Sequence, residues 1–133
     1  MKNHDYLNAF YMCVDDNQLD IFVVVKILEL NKAASKTLTY NSGSEALEYL
    51  KANAENEKLI PDIILLDIQM PGMNGFEFLE EYAKLPEKIT SASTLFLLSS
   101  TIDKGDQEKA LADPFVKAIL SKPLNVEELR GYF

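Results

Sequence analysis

Ile63-Ile64-Leu65-Leu66-Asp67-Ile68-Gln69-Met70-Pro71-Gly72-Met73-Asn74-Gly75 is the stretch on which the reading of this chain turns. Its first four residues are apolar without alternation, which predicts a strand covered on both faces, as in a parallel sheet. Asp67 stops the run. The Pro/Gly-rich loop that follows leads to Asn74, placed to cap a helix carrying Phe76, Leu79 and Ala83, with Glu77 positioned to reach back.

Working outward, the same unit recurs. Ala9-Phe10-Tyr11-Met12-Cys13-Val14 is a second apolar run, ended by Asp15-Asp16. Behind it Leu19, Phe22, Val23, Ile27 and Leu30 recur at helical spacing and predict one apolar helix face. Ser35 to Tyr40 reads as a weaker strand, and Ser42-Gly43-Ser44-Glu45 matches a capping box with Ala46, Leu47 and Leu50 as the buried stripe. Thr94 to Leu98 predicts a further strand ended by Ser99-Ser100, with Asp103 capping a short helix through Leu111. Ala118-Ile119-Leu120 precedes Ser121-Lys122-Pro123, and Asn125 opens a last helix through Phe133. Five strands alternating with five helices require right-handed crossovers, hence an α/β fold with a parallel sheet and helices on both faces.

Composition bounds the function. A chain of 133 residues matches about one domain at roughly 150 residues each. Thirteen basic against twenty-one acidic residues give a net charge of -8, which repels a phosphate backbone and argues against direct nucleic-acid binding. Cys13 is the sole cysteine, so it closes no intramolecular disulfide and reads as a small buried residue. His4 reads as part of a solvated tail. No apolar stretch approaches 18 residues and Met1 to Asp5 lacks the apolar segment of a signal peptide, so a cytoplasmic setting without membrane insertion is expected.

In open parallel sheets ligands bind beyond the carboxyl ends of the strands, where the strand order reverses. There the strands deliver Asp15 and Asp16, Asp67, Ser99 and Lys122. Each has an ordinary explanation alone: Asp15-Asp16 as a helix cap, Gly72 and Gly75 as turn residues, Lys122 as a surface lysine, Met70 and Met73 as packing. Their common place, one step past a strand, gives them weight. Clustered carboxylates repel and require a counter-cation or a retained proton. An all-oxygen set without His or Cys selects a hard ion, best matched by Mg²⁺. Asp67 is then a candidate nucleophile forming an aspartyl-phosphate, with Lys122 and Ser99 holding phosphoryl oxygens.

Asp15-Asp16 after the first strand, Leu65 to Gly75, Ser99-Ser100 and Ser121-Lys122-Pro123 together resemble the receiver domain of two-component response regulators. The match spans about residues 6 to 131, and a stand-alone unit, 1-133, with no output domain is expected. The resemblance implies a flavodoxin-like, doubly wound (βα)5 sandwich with strand order 2-1-3-4-5. It implies phosphotransfer to Asp67 from a histidine kinase or phosphotransfer protein, and switching of a surface for a downstream protein. It further implies Mg²⁺ (or Mn²⁺) on Asp15, Asp16, Asp67 and the backbone carbonyl of Gln69, with Ser99 and Lys122 as phosphate-sensing hydroxyl and amine. The Lys122-Pro123 bond is expected to be cis, and Gln69 and Thr101 flank the site as candidates for tuning the phosphoryl lifetime.

Two features depart from the family pattern. Ile119 stands where an aromatic residue usually sits, which shifts the expected signal path to the loop after Ser99, and the last helix is short. Three alternatives fit these residues less well. A flavin carrier needs a phosphate cradle where Asp15-Asp16 stand. A phosphatase of the aspartyl-phosphate type needs a second acid where Gln69 stands, so an enzyme is not expected. A receiver-fold binding module that is never phosphorylated is disfavoured by intact Asp16, Asp67, Ser99 and Lys122.

Overall fold

The computed structural model describes residues 8–133; His4 and the start of the 6 to 131 span lie outside the described residues. Five parallel strands form one sheet in the order β2-β1-β3-β4-β5. They are β1 (Ala9–Val14), β2 (Ala34–Tyr40), β3 (Ile63–Asp67), β4 (Thr94–Ser99) and β5 (Val116–Ser121). The helices are α1 (Gln18–Leu30), α2 (Gly43–Ala52), α3 (Gly75–Tyr82), α4 (Glu87–Thr90), α5 (Lys104–Ala112) and α6 (Val126–Arg130), with a 3₁₀ turn at Glu57–Leu59.

Successive residues of a strand point to opposite faces, and here they feed two separate cores. Met12, Val14, Ile64, Leu66, Leu95 and Leu97 pack with Ala46, Leu50, Phe78, Ile89 and Ala110 from α2, α3, α4 and α5. Tyr11, Cys13, Ile63, Leu65, Phe96 and Leu98 pack on the other face with Ile21, Val24 and Leu28 of α1 and Val126 and Leu129 of α6. Covering both faces explains why β1 and β3 are apolar throughout: every residue from Ala9 to Val14 and from Ile63 to Leu66 is buried.

The caps follow local chemistry. Asn17, Ser42, Asn74, Asp103 and Asn125 each accept a backbone N–H from the first turn of the helix they precede. At Asn74 the box is reciprocal, since the Glu77 carboxylate accepts the Asn74 N–H at 3.0 Å. At Ser42 the described bond is the forward one, from the Glu45 N–H to the serine hydroxyl.

Four expectations are corrected. The stripe Leu19, Phe22, Val23 and Leu30 is the exposed side of α1, at 69%, 59%, 37% and 81% exposure, and the buried side is Ile21, Val24 and Leu28. Between Leu19 and Leu30 only Asp20, Lys26 and Glu29 are charged, so helical spacing fits either side and packing against the sheet chooses. On α3 the core side is Phe78, Leu79 and Tyr82, with Phe76 half-buried and Ala83 exposed. A sixth helix, α4, follows Pro86; one turn around Ile89 is too short to display a period. The last helix stops at Arg130, and Tyr132 and Phe133 fold back to set their rings 5.5 and 6.1 Å from Phe96.

Candidate functional site

The strand order reverses between β1 and β3, because β2 lies on one side of β1 and β3 on the other. Val14 and Leu66 are register partners, so Asp15 and Asp67, one step further, emerge side by side from adjacent strands. Asp16, Asp15 and Asp67 each offer a carboxylate oxygen, all within 4.8 Å of one another. Asp15 and Asp67 are buried, whereas Asp16 is exposed.

The loop after β3 is held tightly against the strand end. The Gly75 N–H donates to the Ile68 carbonyl at 2.8 Å. A Cβ on Gly75 would lie 2.9 Å from the Asp67 carbonyl oxygen and 2.9 Å from Ile68 Cα, so only glycine permits this approach. Gly72 meets a different need, a positive φ of 79°.

Lys122 enters from the far side of the sheet. Its N–H donates to the Ser99 carbonyl at 2.8 Å, which fixes the loop after β5 to the end of β4, and the Lys122-Pro123 bond is cis. Its Nζ then lies 2.7 Å from Asp15 Oδ2, 2.8 Å from Asp20 Oδ2 and 3.1 Å from Asp67 Oδ1. Burial alone would lower the lysine, but hydrogen bonds to Asp15, Asp20 and Asp67 outweigh it and hold the ammonium above its ordinary range. Asp67 is also raised, but toward its neutral form. Burial and then the Asp15 charge push its carboxyl up to about 6, against the lowering by Lys122. One ammonium therefore leaves the carboxylates under-compensated, which is the electrostatic condition for a bound cation. With oxygen donors and neither His nor Cys among them, the set fits a hard divalent ion. A cavity of about 280 Å³ adjoins these groups, lined by Asp15, Asp20, Asp67 and Lys122 at its polar end and by Ile21, Val24, Leu65 and Leu124 among its apolar walls.

Two further residues singled out in the sequence sit differently. Ser99 is buried, but its hydroxyl is engaged in its own loop, donating to the Thr101 carbonyl at 2.8 Å and accepting the Thr101 N–H at 3.2 Å. Gln69 is exposed and lines a neighbouring hollow with Asp103 and Lys109. Asp20 is the site residue that sequence reasoning missed. An acid in the first turn of a helix reads as a partner for the helix dipole. The signal that singles it out is its place one turn beyond Asp16, on the helix springing from the acidic strand end.

Residues 11–133 match the family model described as response regulator receiver domain. The chain is 29% identical over 125 residues to the polar-differentiation response regulator DivK of Brucella ovis, covering 91% of this chain and 93% of that protein. Its fold is similar to the crystal structure of a response regulator receiver protein from Dyadobacter fermentans, with TM-score 0.83, 39% identity and 92% of each chain covered. It is also similar to a two-component response regulator from Cytophaga hutchinsonii, with TM-score 0.87, 28% identity and coverage of 95% of this chain and 94% of that one. The chain spans very different shares of its curated relatives, from 93% of one to 12% of another. With the reversed strand order, the clustered acids and the matched family model in agreement, the chain belongs to the response regulator receiver domain family of two-component signalling.

Proposed function

We propose that Asp67 is a phosphoacceptor and that its phosphorylation switches a protein-interaction surface of this chain. The observation that carries the reading is the meeting of Asp15, Asp16 and Asp67 with Lys122 at the switch point of the sheet. An Asp67 oxygen attacks phosphorus as the phosphorus–nitrogen bond of a donor phosphohistidine breaks, and the imidazole leaves with its electron pair and takes up a proton. Asp15, Asp16 and Asp67, with the backbone carbonyl of Gln69, would hold Mg²⁺ or Mn²⁺, which supplies charge neutralisation for the transferring group. Lys122 is already within bonding distance of Asp67 and turns its ammonium to a phosphoryl oxygen. Ser99 gives up its bond to the Thr101 carbonyl to donate to another phosphoryl oxygen, so the loop from Ser100 to Asp103 is the segment that changes.

The donor is a histidine kinase or a phosphotransfer protein, and the recipient of the signal is a protein. The chain acts as a signalling module rather than an enzyme, in the cytoplasm; no helix among the described residues is long and apolar enough to cross a membrane. Incubation with a small acyl phosphate and Mg²⁺ should add a phosphoryl mass to the wild-type chain and none to Asp67→Asn. Equal labelling of both proteins would refute the assignment.

A further inference from the structure

Among the described residues three carboxylates hold Lys122, and they are not equivalent. Asp15 and Asp67 belong to the acids whose oxygens gather within 4.8 Å; Asp20 stands outside that group. Yet Asp20 Oδ2 is 2.8 Å from Lys122 Nζ, nearer than Asp67 Oδ1 at 3.1 Å. A divalent cation seated among Asp15, Asp16 and Asp67 competes with the ammonium for the Asp15 and Asp67 oxygens, since two cations sharing those oxygens repel each other. Asp20 is the partner that such a cation leaves to the lysine. Its backbone is also fixed relative to the cluster. The Asp20 N–H donates to Asn17 Oδ1 at 3.0 Å, and the Asn17 N–H donates to Asp15 Oδ1 at 2.9 Å.

Resting on the reading of this pocket as a divalent-cation and phosphoryl site, we infer that Asp20 is a positioning residue for Lys122. It keeps the ammonium at the rim of the pocket while the cation takes Asp15 and Asp67, and so leaves Lys122 at hand for the phosphoryl oxygens. Without Asp20, the carboxylates that Lys122 retains among the described residues are the ones the cation needs. Removing Asp20 therefore sharpens the competition between lysine and metal.

The test is a double-mutant cycle read by calorimetric titration of the full chain with Mg²⁺. Asp20→Asn should weaken Mg²⁺ binding by roughly three- to fivefold, the span of a partly exposed ion pair. Lys122→Ala should tighten it. In the Lys122→Ala background, Asp20→Asn should cost distinctly less, because no lysine remains to be released onto Asp15 and Asp67. Asp20→Glu, which restores the charge, should recover most of the affinity. Melting temperatures in a chelator confirm that each variant folds. A residue with a purely structural role would lower the melting temperature without coupling to Lys122, so an additive cycle overturns the inference. Acyl-phosphate labelling of Asp67 separates the two readings. Labelling with an additive cycle removes only Asp20's role; a coupled cycle without labelling removes only the phosphoacceptor. Absence of Mg²⁺ binding to the wild-type chain overturns both.

Discussion

Lys122 Nζ and Asp15 Oδ2, 107 positions apart in sequence, meet at 2.7 Å with both side chains nearly buried, at 15% and 9% exposure. This contact ties the loop after the last strand to the end of the first. It also assigns the pocket's one bonded ammonium among the described residues to acids that a metal ion would claim, so proton, lysine and metal compete for one set of oxygens.

That competition makes stability depend on pH in a definite direction. In the metal-free protein the Asp67 carboxyl is pushed up to about 6 from its ordinary 3.8 by burial and by Asp15. The folded state thus binds this proton more tightly than the unfolded chain. The contribution is full below the unfolded value and is lost as pH rises through about 6. Asp67→Asn should flatten this dependence and stabilise the metal-free chain at pH 7 by roughly 1–3 kcal/mol. Urea titrations in a chelator on either side of that window check it. Added Mg²⁺ should reverse the order, stabilising the wild type by about 2.7 kcal/mol at a hundredfold excess over its dissociation constant and leaving the variant nearly unchanged.

The loop behind Asp67 admits no side chain at residue 75. Gly75→Ala brings a Cβ within 2.9 Å of two backbone atoms, which cannot yield as a flexible side-chain tip does. A loss of about 2 kcal/mol is expected, with a matching fall in Asp67 labelling. Gly105→Ala, whose nearest neighbour is a side-chain oxygen at 3.3 Å, serves as the control and should retain labelling.

The two sides of α1 should respond very differently to truncation. Leu28 is fully buried against the sheet, so Leu28→Ala should cost about 2–5 kcal/mol. Leu30 is 81% exposed, and Leu30→Ala should stay within about 0.5 kcal/mol. Chemical denaturation of the pair distinguishes the packed side from the exposed one; equal losses would contradict the orientation of the helix.

Tyr82 carries a hydroxyl that finds no hydrogen-bond partner among the described residues, in the core between Phe78 and Phe115. Burial pushes it up to about 12, a rise that nearby Ser93 only partly offsets. Because the folded value is the higher one, the stability associated with the neutral phenol is full below pH 10 and is lost as pH rises through about 12. Tyr82→Phe should keep or raise stability by up to about 1 kcal/mol at pH 7 and should delay alkaline unfolding. Thermal melts across that range provide the measurement.

Much of the architecture was legible along the chain because it rests on local causes. Unbroken apolar runs at Ala9–Val14 and Ile63–Leu66 mark strands buried on both faces, and Asn74, Asp103 and Asn125 mark helix starts by their own hydrogen bonds. The positions of Asp15, Asp16 and Asp67 at or just past the carboxyl ends of β1 and β3 follow from the same runs. What packing alone decided is which of two apolar sides of α1 turns inward, that Asp20 joins Lys122, and that the Ser99 hydroxyl rests on Thr101. Periodicity is blind to these choices, since each depends on what a distant segment brings into contact. Charge and spacing along one helix do not reveal that a lysine anchored after β5 will lie over its first turn.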